Sequence, residues 1–364
     1  MRILFANLAI DWGGGERWTL TAARGLAGRG HDVSVAGRAG NELIERARLA
    51  GLRTSTLPVS VDYAPATIIA AWRLLRRRRP DVVVVHQNKD LRTVAPAARL
   101  AGAAVVHRNG FPILRNTPGH RFASRFAHRI LTNSQQIKDR YVAYGWMHPE
   151  RIDVVPNGVE PAVAAPRESL RSSWGAGPTD LVAVYAGRLT ATKRAGDLLE
   201  AVAALPASTR WRLVILGSGS QETLLRERAS SADLKNRVHF AGFRPEAARE
   251  IGGADLAVLP SSQEGMPNAL MEAMAAGVPV AGTPVGDVRL LLDEGKAGWL
   301  VPVDDVPAWT RLLTELEAQA SQLAVMGARG QRRVREEFTV ERMLDGTEAC
   351  LRRAIGQASG REPA

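Results

Sequence analysis

The chain carries a single cysteine, Cys350, among 364 residues, which excludes an intramolecular disulfide and any thiolate metal cluster and fits a reducing cytoplasm. Cys350 itself reads as a packed helix residue. Long apolar runs are also missing, since segments such as 82–85 and 256–259 fall far short of a membrane-spanning helix. The opening Met-Arg-Ile-Leu-Phe-Ala-Asn runs directly into a strand-like segment and lacks the charged, apolar and small-residue zones of an export signal. No Asp-x-Asp element and no histidine cluster argues for a divalent metal. A cytoplasmic protein is therefore expected, with no metal and no cofactor.

At 45% hydrophobic content the chain can bury a substantial core, and its length exceeds what one core usually serves. Two domains are expected. The net charge of +11 is unevenly spread. Residues 1–160 hold 24 Lys and Arg against 12 Asp and Glu, net +12, whereas 161–364 hold 24 against 25, net −1. Such asymmetry points to an anionic partner for the first half: a membrane surface, a phosphorylated acceptor or nucleic acid.

Short β-branched runs alternate with segments of helical periodicity up to about residue 300, the pattern of an α/β protein with parallel sheets. The first series has strand candidates at 2–6, 31–36, 82–86, 104–107, 129–132 and 152–155, with helices at 18–29, 65–77 and 134–144. Each strand is short and mostly apolar, as for a sheet covered on both faces. The stretch 156–178, with Pro156, Pro161, Pro166 and Pro178, reads as a linker. A second series follows at 181–185, 211–216, 237–240, 256–259, 279–281 and 298–301, and helices at 322–337 and 340–354 close the chain. Two doubly wound domains facing across a cleft would place ligands at the carboxyl ends of their strands.

Three elements fall at those ends. Gly187-Arg188-Leu189 follows the strand at 181–185, and Lys193 precedes a helix. Gly187 allows close backbone approach, Arg188 offers a fork of donors and Lys193 a mobile charge, which suits a diphosphate. Taken alone the pair is equally two surface cations near a turn. The second element is Glu264-Gly265-Met266-Pro267-Asn268-Ala-Leu-Met-Glu272. Pro267 suits the first position of a helix, which leaves Glu264 in a loop and sets Asn268 and Glu272 one turn apart on one helix face. First-turn amides there favour a phosphate, and the carboxylates can accept from sugar and ribose hydroxyls. On spacing alone, Glu264 is as readily a helix cap and Glu272 a solvated residue. The third element, Gly13-Gly14-Gly15-Glu16, lets backbone amides approach a phosphate or is simply a tight turn, and it lacks the full dinucleotide fingerprint.

Together these residues resemble a GT-B glycosyltransferase of family GT4, a retaining family, over nearly the whole chain. The matching stretches are the glycine-rich first turn, Val-Pro-Asn157-Gly158-Val, Arg188 with Lys193, Phe240-Ala-Gly242, and Glu264 through Glu272 with the following Ala-Met-Ala-Ala-Gly-Val-Pro. The resemblance implies that Arg188 and Lys193 bind the donor diphosphate, Glu264 the transferred sugar and Glu272 the ribose, with amides around 265–268 on the distal phosphate. It implies too that His107, ending a strand of the first domain, touches the donor sugar beside the reacting carbon; a lone histidine there would otherwise be structural. It further implies a domain of 1–160 on the acceptor side, a donor domain of 161–340, and a last helix in 341–364 that crosses back to the first. Two departures stand out. Gly286-Asp287 replaces the paired glycines of many relatives, and His107 is followed by Arg108-Asn109-Gly110, a less common run that reflects the acceptor.

The expected activity is retaining transfer of a hexose or N-acetylhexosamine from a nucleotide-diphosphate sugar to a glycan or lipid-linked acceptor, in cell-envelope polysaccharide or glycolipid synthesis. Cations and helix amides can stabilise the departing nucleoside diphosphate without a metal. A nucleotide-sugar isomerase of the same fold and a non-catalytic basic protein are the rivals. Nucleic acid is not expected as a partner. An anionic membrane surface is, through Arg76, Arg77, Arg78 and Arg79 beside Ile68, Ile69, Trp72 and Leu75, and through Arg121, Arg125 and Arg129 interleaved with Phe122 and Phe126. The alternative makes the phenylalanines core and the arginines a solvated helix end favoured by the macrodipole.

Overall fold

The structure is a computed structural model that describes residues 1–58, 64–110, 116–160 and 165–360. It divides into two compact units, Met1–Gly158 with Val340–Ala364, and Val159–Thr339. Each is built on an all-parallel sheet.

The first unit has strands β1 (Arg2–Asn7), β2 (Asp32–Gly37), β3 (Arg53–Thr56), β4 (Val82–Val85), β5 (Ala104–Asn109), β6 (Arg129–Thr132) and β7 (Ile152–Val154), in the order β3-β2-β1-β4-β5-β6-β7. The run Val82-Val83-Val84-Val85 shows why the strands read as continuous apolar segments. Val83 and Val85 belong to the apolar cluster on the face that carries helices Pro65–Arg78, Asn88–Leu100, Pro118–Ser124 and Gln135–Ala143, while Val82 and Val84 belong to the cluster on the other face, with Gly14–Gly28, Glu42–Leu49 and Val340–Ala358. Burial on both faces removes any alternation.

The second unit has strands β8 (Leu181–Ala186), β9 (Trp211–Leu216), β10 (Val238–Gly242), β11 (Leu256–Leu259), β12 (Val280–Gly282) and β13 (Trp299–Leu300), ordered β10-β9-β8-β11-β12-β13. Its core gathers Tyr185, Trp211, Trp309 and the apolar face of helix Asn268–Ala275.

Several sequence expectations are corrected. Strand β3, Arg-Thr-Ser-Thr, carries no apolar residue and went unread; it is an edge strand that β-branched threonines suffice to hold. The first helix begins at Gly14 and not at 18, so the glycine turn is itself the helix's first turn. The linker reading of 156–178 also fails in part. Residues 161–164, with Pro161, lie outside the described residues, but Arg167–Ser173 is a helix that sends Leu170 and Trp174 into the core of the second unit. Pro166 stands before its first turn, where a proline's missing N–H costs nothing. Arg129 leaves the basic surface: it lies buried on β6, paired with Asp153, which also takes Arg353 from the last helix at 2.6 Å. That helix, Val340–Ala358, packs against β4, β5, β6 and helix Gly14–Gly28, bringing Met343, Leu344, Leu351 and a buried Cys350 into one apolar cluster with Val84, Val106, Leu131 and Trp18, and burial pushes the Cys350 thiol well up.

Candidate active site

In the second unit the carboxyl ends of β8 and β11 bring the proposed donor residues together. The Tyr185 hydroxyl donates to the carbonyl of Arg188 at 2.7 Å, and Leu189 N–H donates to Ser218 O at 2.9 Å, so the turn after β8 is fixed to the loop after β9. The Arg188 side chain is exposed and has no ion-pair partner among the described residues. A 3-10 turn, Ala191–Lys193, follows, and Ser262 ties the loop after β11 to it by donating from both N and Oγ to Thr192 O, at 2.9 and 3.2 Å. The tie sets Lys193 Nζ 2.6 Å from Glu264 Oε1. Glu264 is 8% exposed, so its carboxylate is held by a cation in a poorly solvated place.

Gly265, Met266 and Pro267 are buried, and the helix begins at Asn268, one residue later than expected, with Pro267 in the capping position, where its side chain makes no capping bond. Glu272 lies inside that helix and is 9% exposed, which overturns the solvated alternative. At Gly286-Asp287, where many relatives carry paired glycines, the glycine that is kept has a packing cause. Gly286 adopts φ +57°, and a Cβ there would stand 2.4 Å from the carbonyl oxygens of both Glu264 and Gly265. Asp287 N–H then donates to Gly265 O at 2.8 Å, so this turn braces the loop that carries Glu264.

His107, Gly14 and Gly15 belong to the first unit. The strand expected to end at His107 runs on to Asn109, so His107 lies inside β5; it is almost fully buried, and burial, reinforced by His120 and Arg108, lowers its pKa to about 3, which keeps the ring neutral. Arg108 and Asn109, which follow it on the strand, are buried and braced. Arg108 lies 4.6 Å over the Trp18 ring and donates to Asn157 Oδ1 at 3.1 Å, while Asn109 Nδ2 donates to the Tyr141 hydroxyl at 2.8 Å. Gly15 has a steric reason of its own, since a Cβ there would lie 2.3 Å from His86 Nε2.

Sequence reading missed the acidic pair below this turn. Asn7 Nδ2 donates to Glu16 Oε1 at 3.1 Å, and Asp90 accepts from the amides of Leu8 and Gln87, at 3.3 and 2.9 Å, while its burial pushes its carboxyl up to about 7. The one available signal was Asp90 three residues after Gln87, the spacing of a capping box.

Two open parallel sheets, each with its polar residues at the carboxyl ends of the strands, define the GT-B class of glycosyltransferase fold. Comparison with known proteins agrees. Residues 12–163 match the family described as Glycosyltransferase Family 4, and residues 166–333 match Glycosyl transferases group 1. The D-inositol 3-phosphate glycosyltransferase of Mycobacterium marinum is 30% identical over 78% of this chain, although the match spans only 61% of that protein's length. The lipopolysaccharide core biosynthesis glycosyltransferase LpsE of Rhizobium meliloti is 26% identical over 95% of this chain and 97% of its own. Among solved structures, Anabaena Alr3699/HepE in complex with UDP and glucose superposes with a TM-score of 0.84 at 20% identity, covering 97% of this chain and 99% of that one. The chain belongs to the family 4 glycosyltransferases.

Proposed function

We propose that this protein transfers a hexose or N-acetylhexosamine, with retention, from a nucleotide-diphosphate sugar to a glycan or lipid-linked acceptor of the cell envelope. The observation that carries the reading is the Lys193–Glu264 pair set beside a helix whose capping residue, Pro267, makes no side-chain bond to the first turn. Arg188 and Lys193 hold the diphosphate, the amides of 265–268 the distal phosphate, Glu264 the sugar hydroxyls and Glu272 the ribose. The amides of Gly14 and Gly15 assist on the donor side, and His107 meets the transferred sugar. The leaving phosphate, neutralised by cations and amides with no metal required, takes the acceptor's proton as the acceptor attacks from the same face. Support for a nucleotide-sugar donor comes from Alr3699/HepE, whose structure holds UDP and glucose.

Calorimetry with UDP, GDP and ADP tests the donor assignment. The preferred nucleotide is expected to bind Arg188→Ala and Glu272→Ala roughly tenfold more weakly than wild type, each change removing bonds worth about 1–3 kcal/mol. Unchanged affinity in both folded variants would sink the assignment. Conversion of donor alone to an epimer would instead favour an isomerase.

A membrane-facing role for the first unit has its own support. Helices Pro65–Arg78 and Pro118–Ser124 lie on the same face of the first sheet. Leu75 is core and Ile68 is packed against it, but Ile69, Trp72 and Phe122 are 48%, 38% and 53% exposed. Arg76 lies 5.7 Å over the Trp72 ring, and Arg77, Arg78, Arg79, Arg121 and Arg125 are exposed. Exposed aromatics among arginines suit an anionic interface, each cation contributing about 1 kcal/mol. No helix among the described residues is long and apolar enough to cross a membrane, so any attachment by these helices is peripheral. Co-sedimentation with anionic vesicles is expected to fall with salt and to drop when Arg76, Arg77, Arg78, Arg79, Arg121 and Arg125 are neutralised. Equal binding to neutral vesicles, or none to either, would leave a soluble anionic acceptor as the account of the charge.

A further inference from the structure

Beneath helices Pro118–Ser124 and Gln135–Ala143 the first unit buries polar atoms that the donor reading does not use. His107 Nδ1, both ring nitrogens of His120, Thr132 Oγ1 and Asn133 Oδ1 are buried with no hydrogen-bond partner among the described residues. His107 and Thr132 project from neighbouring strands, β5 and β6. The His120 ring lies edge-on to His107, with centroids 6.5 Å apart, and its centroid is 4.5 Å from that of Trp146. Its backbone is pinned as well: His120 N–H donates to Thr117 Oγ1 at 3.3 Å, and its carbonyl accepts from Ser124 Oγ at 2.9 Å. His120 is fully buried, with its ring set against His107.

Both rings are neutral. Burial, then the positive charge of Arg92, lowers the His120 pKa to about 4, as burial lowers that of His107 to about 3. A neutral imidazole carries one donor and one acceptor nitrogen, and which is which depends on the partner each finds. Native interiors seldom leave such atoms unsatisfied, and an ordered water with several polar neighbours is the usual remedy. A water bridges two polar atoms up to about 5.5 Å apart, a span within reach of facing nitrogens on edge-on rings whose centroids stand 6.5 Å apart.

We propose that His120 is a positioning residue for His107: a water held between the two rings fixes the tautomer in which His107 presents Nε2 to the reaction. The proposal rests on the reading that His107 meets the donor sugar. His120 itself touches no substrate; it acts by keeping one ring form of its neighbour populated, as second-sphere partners do for metal-bound histidines. Glutamine at 120 can still donate and accept, whereas phenylalanine keeps the bulk and loses both.

The test uses full-length protein with 15N-labelled histidine. In wild type, the two ring nitrogens of His107 are expected to show one protonated and one bare nitrogen, a single tautomer. His120→Phe is expected to scramble that pattern and lower kcat at least tenfold, with nucleoside-diphosphate affinity within twofold of wild type. His120→Gln is expected to restore the single tautomer and most of kcat. A mixture of tautomers in wild type, or equal losses in both variants, overturns the proposal, and the wild-type measurement decides even if a variant fails to fold. His107→Ala separates the two readings: if it keeps wild-type turnover the role of His107 falls, while the tautomer measurement still reports on His120.

Discussion

Lys193→Ala is expected to weaken nucleoside-diphosphate binding on the order of 100-fold, the largest loss of any single change in the second unit. Two effects combine. A charge-assisted bond to phosphate, worth about 1.5–3 kcal/mol, is lost, and Glu264, left buried without its cation 2.6 Å away, becomes a negative charge facing an anionic ligand. The thermal midpoint should fall too, because breaking a poorly solvated pair costs more than never having formed it. The double variant Lys193→Ala with Glu264→Ala should therefore lose less affinity than the sum of the two single changes, the non-additivity expected of groups in direct contact. Calorimetry on the four proteins of the cycle checks this. Additive losses, or wild-type affinity in Lys193→Ala, would remove the pair from the donor site.

His107→Ala is expected to lower kcat at least 100-fold while nucleoside-diphosphate affinity stays within twofold. The residue is assigned to the sugar, whose charge develops in the transition state, and not to the phosphates, which are bound before and after it. Because His107 is almost fully buried, truncation also opens a cavity. Steady-state kinetics should therefore be paired with a melting curve and with His107→Gln, which fills more of the space. Wild-type turnover in a folded variant would return His107 to a structural role.

What could be read in advance follows a physical division. Strands buried on both faces announce themselves, as the four valines of β4 do, and a helix in which Asn268 and Glu272 stand one turn apart carries its geometry in its spacing. Arg129 could not be placed from its neighbourhood, because its burial depends on Asp153, 24 residues away, and its apparent kinship with Arg121 and Arg125 was a helical spacing that the chain does not keep. The same holds for Arg108, which needs Trp18 and Asn157, and for Asp90, which needs the amide of Leu8. Charged groups satisfied by distant partners look, in one dimension, like surface.

The first unit is closed by its last helix, Val340–Ala358, which arrives only after the whole second unit has been made. On the ribosome, therefore, the earlier unit in sequence is the later one to be completed. Until residues 340–358 emerge, the apolar side formed by Val84, Val106, Leu131 and Trp18 lacks the cover that the last helix, with Met343, Leu344 and Leu351, supplies, an exposure that invites chaperones or aggregation. The second unit, contiguous from Val159 to Thr339, carries no such debt. A chain cut before residue 340 should thus yield a folded Val159–Thr339 unit joined to an unfinished one, with limited proteolysis sparing the former and degrading the latter.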